Sequence, residues 1–234
     1  MFSATSFRSR MHLKDMLAAC LMIMVVISGC TPGFRKGCRD AVCGPDVKII
    51  AYHLGRYYKC IEELVQRLYA KNPRYEPDHK RWKIKLSAIF GQGEMLYPNL
   101  QEMASHQLLD EAFSPNPIIP DRVFLLGLGL KRSIDEAYDT GGTFFLTGCQ
   151  IDLRRLQRLY SNMAQVNWRM KTYRDVSGRL LFVTNEVGED GYINMGFEVI
   201  MTQMLTRIED DIYLRGGLEK NLAFRLSAIF ISII

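Results

Sequence analysis

Apolar residues return at helical spacing along most of the chain. From Asp46 to Asn72, Ile50, Leu54, Tyr57, Ile61, Leu64, Val65 and Leu68 recur at this spacing, which predicts a helix that Pro73 ends. Pro77 suits the first turn of a second helix, with Trp82, Leu86, Ile89 and Phe90 as its stripe. Asn99 and Glu102 have capping-box spacing and predict a third, through Leu100, Met103, Leu108 and Ala112. Pro115, Pro117 and Pro120 mark a loop; Pro120 can open a fourth helix, ending near Gly141-Gly142. Asp152 to Arg174 is the clearest helix. Leu153, Leu156, Tyr160, Met163 and Met170 face inward there, with Arg154, Arg155, Arg158 and Arg169 largely outside the stripe. Asn194 can cap a sixth, whose stripe is Phe197, Ile200, Met204, Leu205, Ile208 and Ile212 and which Gly216-Gly217 ends.

Two segments depart from this pattern. Arg179–Thr184 is short and rich in strand formers, and with Tyr192-Ile193 beyond a turn it predicts a small β-hairpin. Leu218–Ile234 finishes in LSAIFISII, apolar nearly all round, which predicts burial in the helical core; a membrane surface or a partner's groove is the other destination. The fold class expected is mainly α, a bundle or irregular array of about seven helices with a small hairpin.

Composition narrows the class further. The 234 residues are 48% hydrophobic, and 30 basic against 25 acidic residues give +5. That is too apolar and too weakly charged for a disordered chain. The charge is spread along the sequence, so there is no concentrated stripe of the kind that binds nucleic acid.

The amino terminus reads as an address. Arg8, Arg10 and Lys14 precede Met16–Ile27, twelve residues without a charge, and small residues follow before Thr31-Pro32-Gly33. Basic start, short apolar core and small residues at the cleavage point are the parts of an export signal, and the core is too short to span hydrocarbon stably. A start at Met11 would give a leader of more usual length.

Ile27, Ser28, Gly29 and Cys30 together resemble the lipobox of bacterial lipoproteins, an aliphatic residue, a small residue, Gly or Ala, then cysteine. The resemblance implies a diacylglycerol thioether on Cys30 and cleavage before it. It divides the chain into a leader at 1–29, the lipidated cysteine with a flexible tether at 30–45, and a helical domain at 46–234. Thr31, where an aspartate would favour the inner membrane, implies the outer membrane facing the periplasm, or the cytoplasmic membrane of a cell with only one. Arg67-Leu68-Tyr69, Asn72-Pro73-Arg74 and the helix entry Asn194–Phe197 are similar to strings in uncharacterised proteobacterial lipoproteins, a likeness that carries no activity.

Motifs for chemistry are few. Export leaves Cys38, Cys43, Cys60 and Cys149 where disulfides form. The four allow three complete pairings, among which sequence does not choose. Cys38 and Cys43 flank a short loop and are a candidate pair, as a disulfide or as free thiols, whereas no second close pair or neighbouring histidine supports zinc. His53, His79 and His106 lie apart from one another and from any cysteine, and His53 reads as a helix-side residue. Ser105-His106 lacks a nucleophile elbow. Gly127-Leu128-Gly129 has no phosphate-loop continuation and suits close helix contact. Glu186, Glu189 and Asp190 form a loop cluster, and Glu209, Asp210 and Asp211 point in different directions on a helix. Arg81, Lys83 and Lys85 gather positive charge that suits anionic lipid headgroups, with a plain solvated face as the alternative.

These features give no catalytic residue, metal ligand or cofactor. The function expected is a lipid-anchored, non-catalytic interaction or scaffold module, held to the membrane by its anchor and binding an envelope protein partner. A carrier of an apolar ligand in the helical core is the alternative, suggested by twelve methionines, eleven tyrosines and twelve phenylalanines; an enzyme without a recognisable motif stands third.

Overall fold

The computed structural model describes the backbone of residues 32–94, 96–140, 151–184 and 195–216, with side chains from Ile49 to residue 213 of those. Among them are six helices: α1 (Pro32–Lys71), α2 (His79–Ile89), α3 (Ser105–Phe113), α4 (Arg122–Tyr138), α5 (Leu153–Thr172) and α6 (Gly196–Gly216). A short 3₁₀ turn, Pro98–Leu100, precedes α3. The chain divides into residues 1–48 and residues 49–234, and the core described below belongs to the second unit. The mainly helical class holds, and no described helix is long and apolar enough to cross a membrane.

Local chemistry sets the helix starts. Asp78, Asp121 and Asp152 are N-caps, each accepting a backbone N–H two or three residues on. The third helix begins at Ser105, later than the Asn99–Glu102 spacing predicts. Pro98–Leu100 is taken up by the 3₁₀ turn, and only half a capping box forms, the Gln107 side chain accepting the Ala104 N–H at 2.8 Å. α4 stops where Asp139 takes a left-handed conformation (φ 51°). Residues 32–45 are helical, where the sequence reading has a flexible tether. A proline inside a helix removes one hydrogen bond and disfavours the helix without forbidding it.

α4 is the centre of the body. Every residue from Asp121 to Leu130 is buried, and α4 packs against α2, α3 and α5, with α6 laid on α5. A helix apolar on all sides belongs inside, and the length of α4 fits a core passage. Its two glycines allow the approach. A Cβ on Gly127 would come within 2.6 Å of Val65 and 2.9 Å of Ile89, and one on Gly129 within 2.9 Å of Leu109. The predicted stripes are core: Tyr57, Ile61, Leu64, Val65 and Leu68 on α1, and Phe197, Ile200, Met204 and Ile208 on α6, are buried. Each such aliphatic or aromatic side chain contributes on the order of 1.5–3 kcal/mol by leaving water.

The predicted hairpin is not seen among the described residues, and its second arm, Tyr192-Ile193, lies outside them. Arg179–Thr184 forms no strand; Leu180 bridges back to Arg174 around the turn Asp175–Gly178, where Gly178 has φ 79°. The Ser177 hydroxyl and the N–H groups of Ser177 and Arg179 donate to Asp175, whose carboxyl is held down to about 2, the Ser177 hydroxyl being the chief cause. The segment that follows is gripped by side chains. Asn72 Oδ1 accepts the Val183 N–H at 2.7 Å while its amide donates to Val183 O, and Arg74 and Tyr75 donate to Leu181 O at 2.5 and 2.6 Å. These three residues after α1 stand in for a paired strand and seat Leu181 and Phe182 in the core. Tyr192-Ile193, the Asn194 cap, Cys149, the cluster Glu186, Glu189 and Asp190, and Leu218–Ile234 lie outside the described residues.

Gly129→Ala tests the close approach. Although alanine is the better helix former, the variant is expected to lose about 1–3 kcal/mol in urea unfolding, because Leu109 and its backbone N–H leave no room.

Candidate functional site: two buried polar clusters and two clefts

The first cluster gathers at the N-terminus of α4. Lys85 on α2 is buried, with Nζ 2.5 Å from Asp121 and 2.7 Å from Glu76, both also buried. Tyr69 on α1 donates to the same Asp121 Oδ2 at 3.0 Å, while Asp121 Oδ1 accepts the Phe124 N–H at 2.9 Å. Arg81 adds a longer pair to Glu76 at 3.4 Å, and Trp82 stacks on Tyr69. Desolvation pushes Glu76 upward, but the hydrogen bonds from Lys85 and the Asp78 N–H, with the charges of Lys85 and Arg81, outweigh it and hold the carboxyl below its usual range. Desolvation likewise pulls Lys85 down, and its two carboxylates more than reverse that. Burial, reinforced by Asp121, drives the Tyr69 hydroxyl far upward.

The second cluster lies near the C-terminus of α4. His53 Nδ1 on α1 donates to Asp211 Oδ1 on α6 at 2.9 Å; a carboxylate only accepts, so the proton sits on Nδ1. Tyr138 donates to Asp211 Oδ2 at 2.5 Å, and the Tyr57 hydroxyl lies 2.9 Å from Tyr138 and 3.3 Å from Asp211. Desolvation raises both tyrosines well above their ordinary range, so they act as donors and not as phenolates. A carboxylate on Nδ1–H makes Nε2 the acceptor nitrogen of the ring, the tautomer and orientation used in general-base catalysis. Neither of the two clefts described next includes His53 in its lining.

One cleft, about 510 Å³, lies between α3, α4 and α5 and is lined by Ser105, His106, Glu136, Arg155, Arg158 and Asn162 among others. Glu136 is already engaged there, accepting the Ser105 N–H at 3.0 Å and its hydroxyl at 2.5 Å. The other, about 650 Å³, runs between α1 and α2 past Gly55, Tyr58, Leu86 and Phe90.

The predicted site residues fare unequally. Lys85 is corrected: it is 3% exposed and doubly paired, so it cannot meet a headgroup. Arg81 is partly committed to Glu76, and Lys83 alone of the three stands exposed with no ion pair among the described residues. Cys30, the lipobox residues Ile27, Ser28 and Gly29, and the side chains of Cys38 and Cys43 lie outside those described. Cys60 is a buried free thiol, 3.8 Å from the Gln203 carbonyl oxygen, and burial pushes its pKa up. Among the described residues no three His, Cys, Asp or Glu side chains gather as a metal site would need. Both clusters had a signal that sequence reasoning passed over. Lys85 falls in the stripe Trp82, Leu86, Ile89, and Asp211 falls in the stripe Ile208, Ile212. A charge at an inward position of a helix is a buried charge in need of a partner.

Comparison of the chain with protein-family models, with curated proteins and with solved structures gives no match in any of the three.

Lys85→Met is expected to cost about 3–5 kcal/mol at neutral pH, since it leaves Asp121 without a counter-charge and Glu76 with only its longer pair to Arg81. The pH dependence carries a sign. The depressed Glu76 contributes stability above its unfolded pKa, near 4, which is lost as pH falls through the folded value. The raised Lys85 contributes below about pH 10 and fades as pH rises through its folded value. Urea midpoints across pH should therefore drop at both ends in the wild type, whereas acid should restore stability to the methionine variant. In the second cluster, Asp211→Asn should cost about 1–3 kcal/mol, while changes at exposed Glu209 and Asp210 stay within about 0.5.

Proposed function

We propose that the chain is an exported lipoprotein, acylated at Cys30 and held on the periplasmic face of the outer membrane, or on the cytoplasmic membrane where a cell has only one. Its helical body is a recognition module for an envelope protein partner. The observation that carries the first part is the tetrapeptide Ile27-Ser28-Gly29-Cys30, set directly after a basic start and a charge-free apolar core. Buried acyl methylenes contribute about 0.8 kcal/mol each, and two chains anchor where one binds reversibly.

Two features of the body support recognition. The interior charges are spent on one another: Lys85, Glu76, Asp121 and Asp211 all face partners inside the fold. The surface meanwhile keeps large apolar groups in water, among them Trp168 (56% exposed) on α5 and Val199 (53%) on α6. Tryptophan is the residue most enriched at the energetic centres of protein interfaces.

Intact-mass analysis of protein from detergent-solubilised membranes should give a chain that begins at Cys30 and carries the added mass of its acyl groups. Cys30→Ser should lose metabolic labelling by an alkyne fatty acid and keep its leader. An unmodified full-length wild-type product in the soluble fraction would overturn the assignment.

A further inference from the structure

The groove between α1 and α2 contains a glycine that the fold does not explain. Gly55 sits inside α1, where glycine weakens a helix relative to alanine. Gly127 and Gly129 repay that weakness by letting other helices touch them. A Cβ on Gly55 would meet nothing within 4 Å. The missing side chain leaves open space at the wall of a 650 Å³ groove, a volume within the range of about 300–1,000 Å³ typical of small-ligand sites.

The lining is divided by chemistry. Leu86 is buried, while Phe90 and Tyr58 are half-buried, their rings meeting edge to face with centroids 6.0 Å apart. The Tyr58 hydroxyl is taken by Asp135 at 2.7 Å, so its ring offers an apolar surface. Lys59 and Lys83, one from each helix, line the same groove, exposed and without an ion pair or hydrogen bond among the described residues. Glu62 is the single acid there, and Gln66 donates to it at 3.4 Å. An apolar strip beside two free ammonium groups matches a molecule with a hydrocarbon chain and an acidic head.

We infer that this groove binds an anionic amphiphile, its chain lying along Gly55, Tyr58, Leu86 and Phe90 and its carboxylate or phosphate head between Lys59 and Lys83. The site goes beyond the recognition role above and does not depend on acylation of Cys30. It also differs from a ligand cavity in the helical core, because it is an open groove between two helices.

Photolabelling tests it on the full chain in the membranes of cells that produce it. Three probes share one diazirine-bearing twelve-carbon chain and differ in head: a carboxylate, a phosphate monoester and a neutral glycerol ester. Peptide mapping should place adducts near Tyr58 and Phe90 for an acidic probe, and the stronger of the two acidic heads identifies the source, free fatty acid or lipid phosphate. The neutral probe should label about thirtyfold less, the effect of losing two exposed charge contacts at the upper end of their strength. Gly55→Leu, which fills open space with a better helix former, should abolish labelling without lowering the thermal midpoint. The pair Lys59→Gln and Lys83→Gln, both at exposed positions, should reduce acidic labelling to the neutral level, and this arm decides the matter if the leucine variant proves unstable. Cys30→Ser should label at the same place. Equal labelling by the neutral probe, labelling retained in a folded Gly55→Leu protein, or no labelling by either acidic probe overturns the inference.

Discussion

One carboxylate organises the body. Asp121 caps α4 through Oδ1 and receives both Lys85 from α2 and Tyr69 from α1 through Oδ2, so a single buried side chain fixes the start of the central helix against two others. Its two oxygens serve different purposes. The capping bond satisfies an orphan backbone donor at the helix N-terminus, where negative charge also complements the helix dipole. The bonds to Lys85 and Tyr69 then set where α1 and α2 sit along α4. Apolar surfaces alone would allow the helices to slide, since hydrophobic contact is non-directional. A charged group that must find its partner at one depth in the core removes that freedom.

The other end of α4 repeats the arrangement with different residues. Tyr138, in its last turn, donates to Asp211 of α6, and Asp211 holds His53 of α1. Buried pairs of this kind add little net stability, because desolvation offsets most of the attraction, but leaving one partner alone is costly. Register is the better account of their presence. Gly127 and Gly129 lie between the two polar ends, where α4 meets Val65, Ile89 and Leu109 with no room for a side chain. Small residues at the contact with polar locks towards either end define one depth and one rotation for the helix.

What could be read from the sequence follows the same division. Helix stripes, the helix start at Asp152 and the close-packing role of Gly127 and Gly129 depend on local spacing, and local spacing is written in the chain. Pro77 and Pro120, by contrast, read as opening their helices, each precede the true caps Asp78 and Asp121. The pairing of His53 with Asp211 spans 158 residues, and that of Lys85 with Asp121 spans 36. Periodicity marks both charges as inward-facing but cannot name the partner. The segment 179–184 misled for a related reason. Its β-branched and aromatic residues report burial on an extended path, and that path is held by Asn72, Arg74 and Tyr75 in place of a second strand. Strand propensity describes a pleated, half-buried environment more than a ladder partner.

Counting charge along α2 overstates what the surface offers a membrane. Of Arg81, Lys83 and Lys85, one is sealed in the core and one is shared with Glu76. At about 1 kcal/mol for each free basic residue near an anionic surface, the contribution of this stretch falls from about three to nearer one. That is smaller than the binding of a single acyl chain, which is itself reversible. Headgroup attraction by Arg81, Lys83 and Lys85 is therefore too weak by itself to hold the body at a bilayer. Lys83 is left for a different use, one in which a single ammonium gains from a companion, Lys59, lining the same groove. Two charges lining one groove can act on a common anionic head in a way that the same charges scattered over a helix face do not.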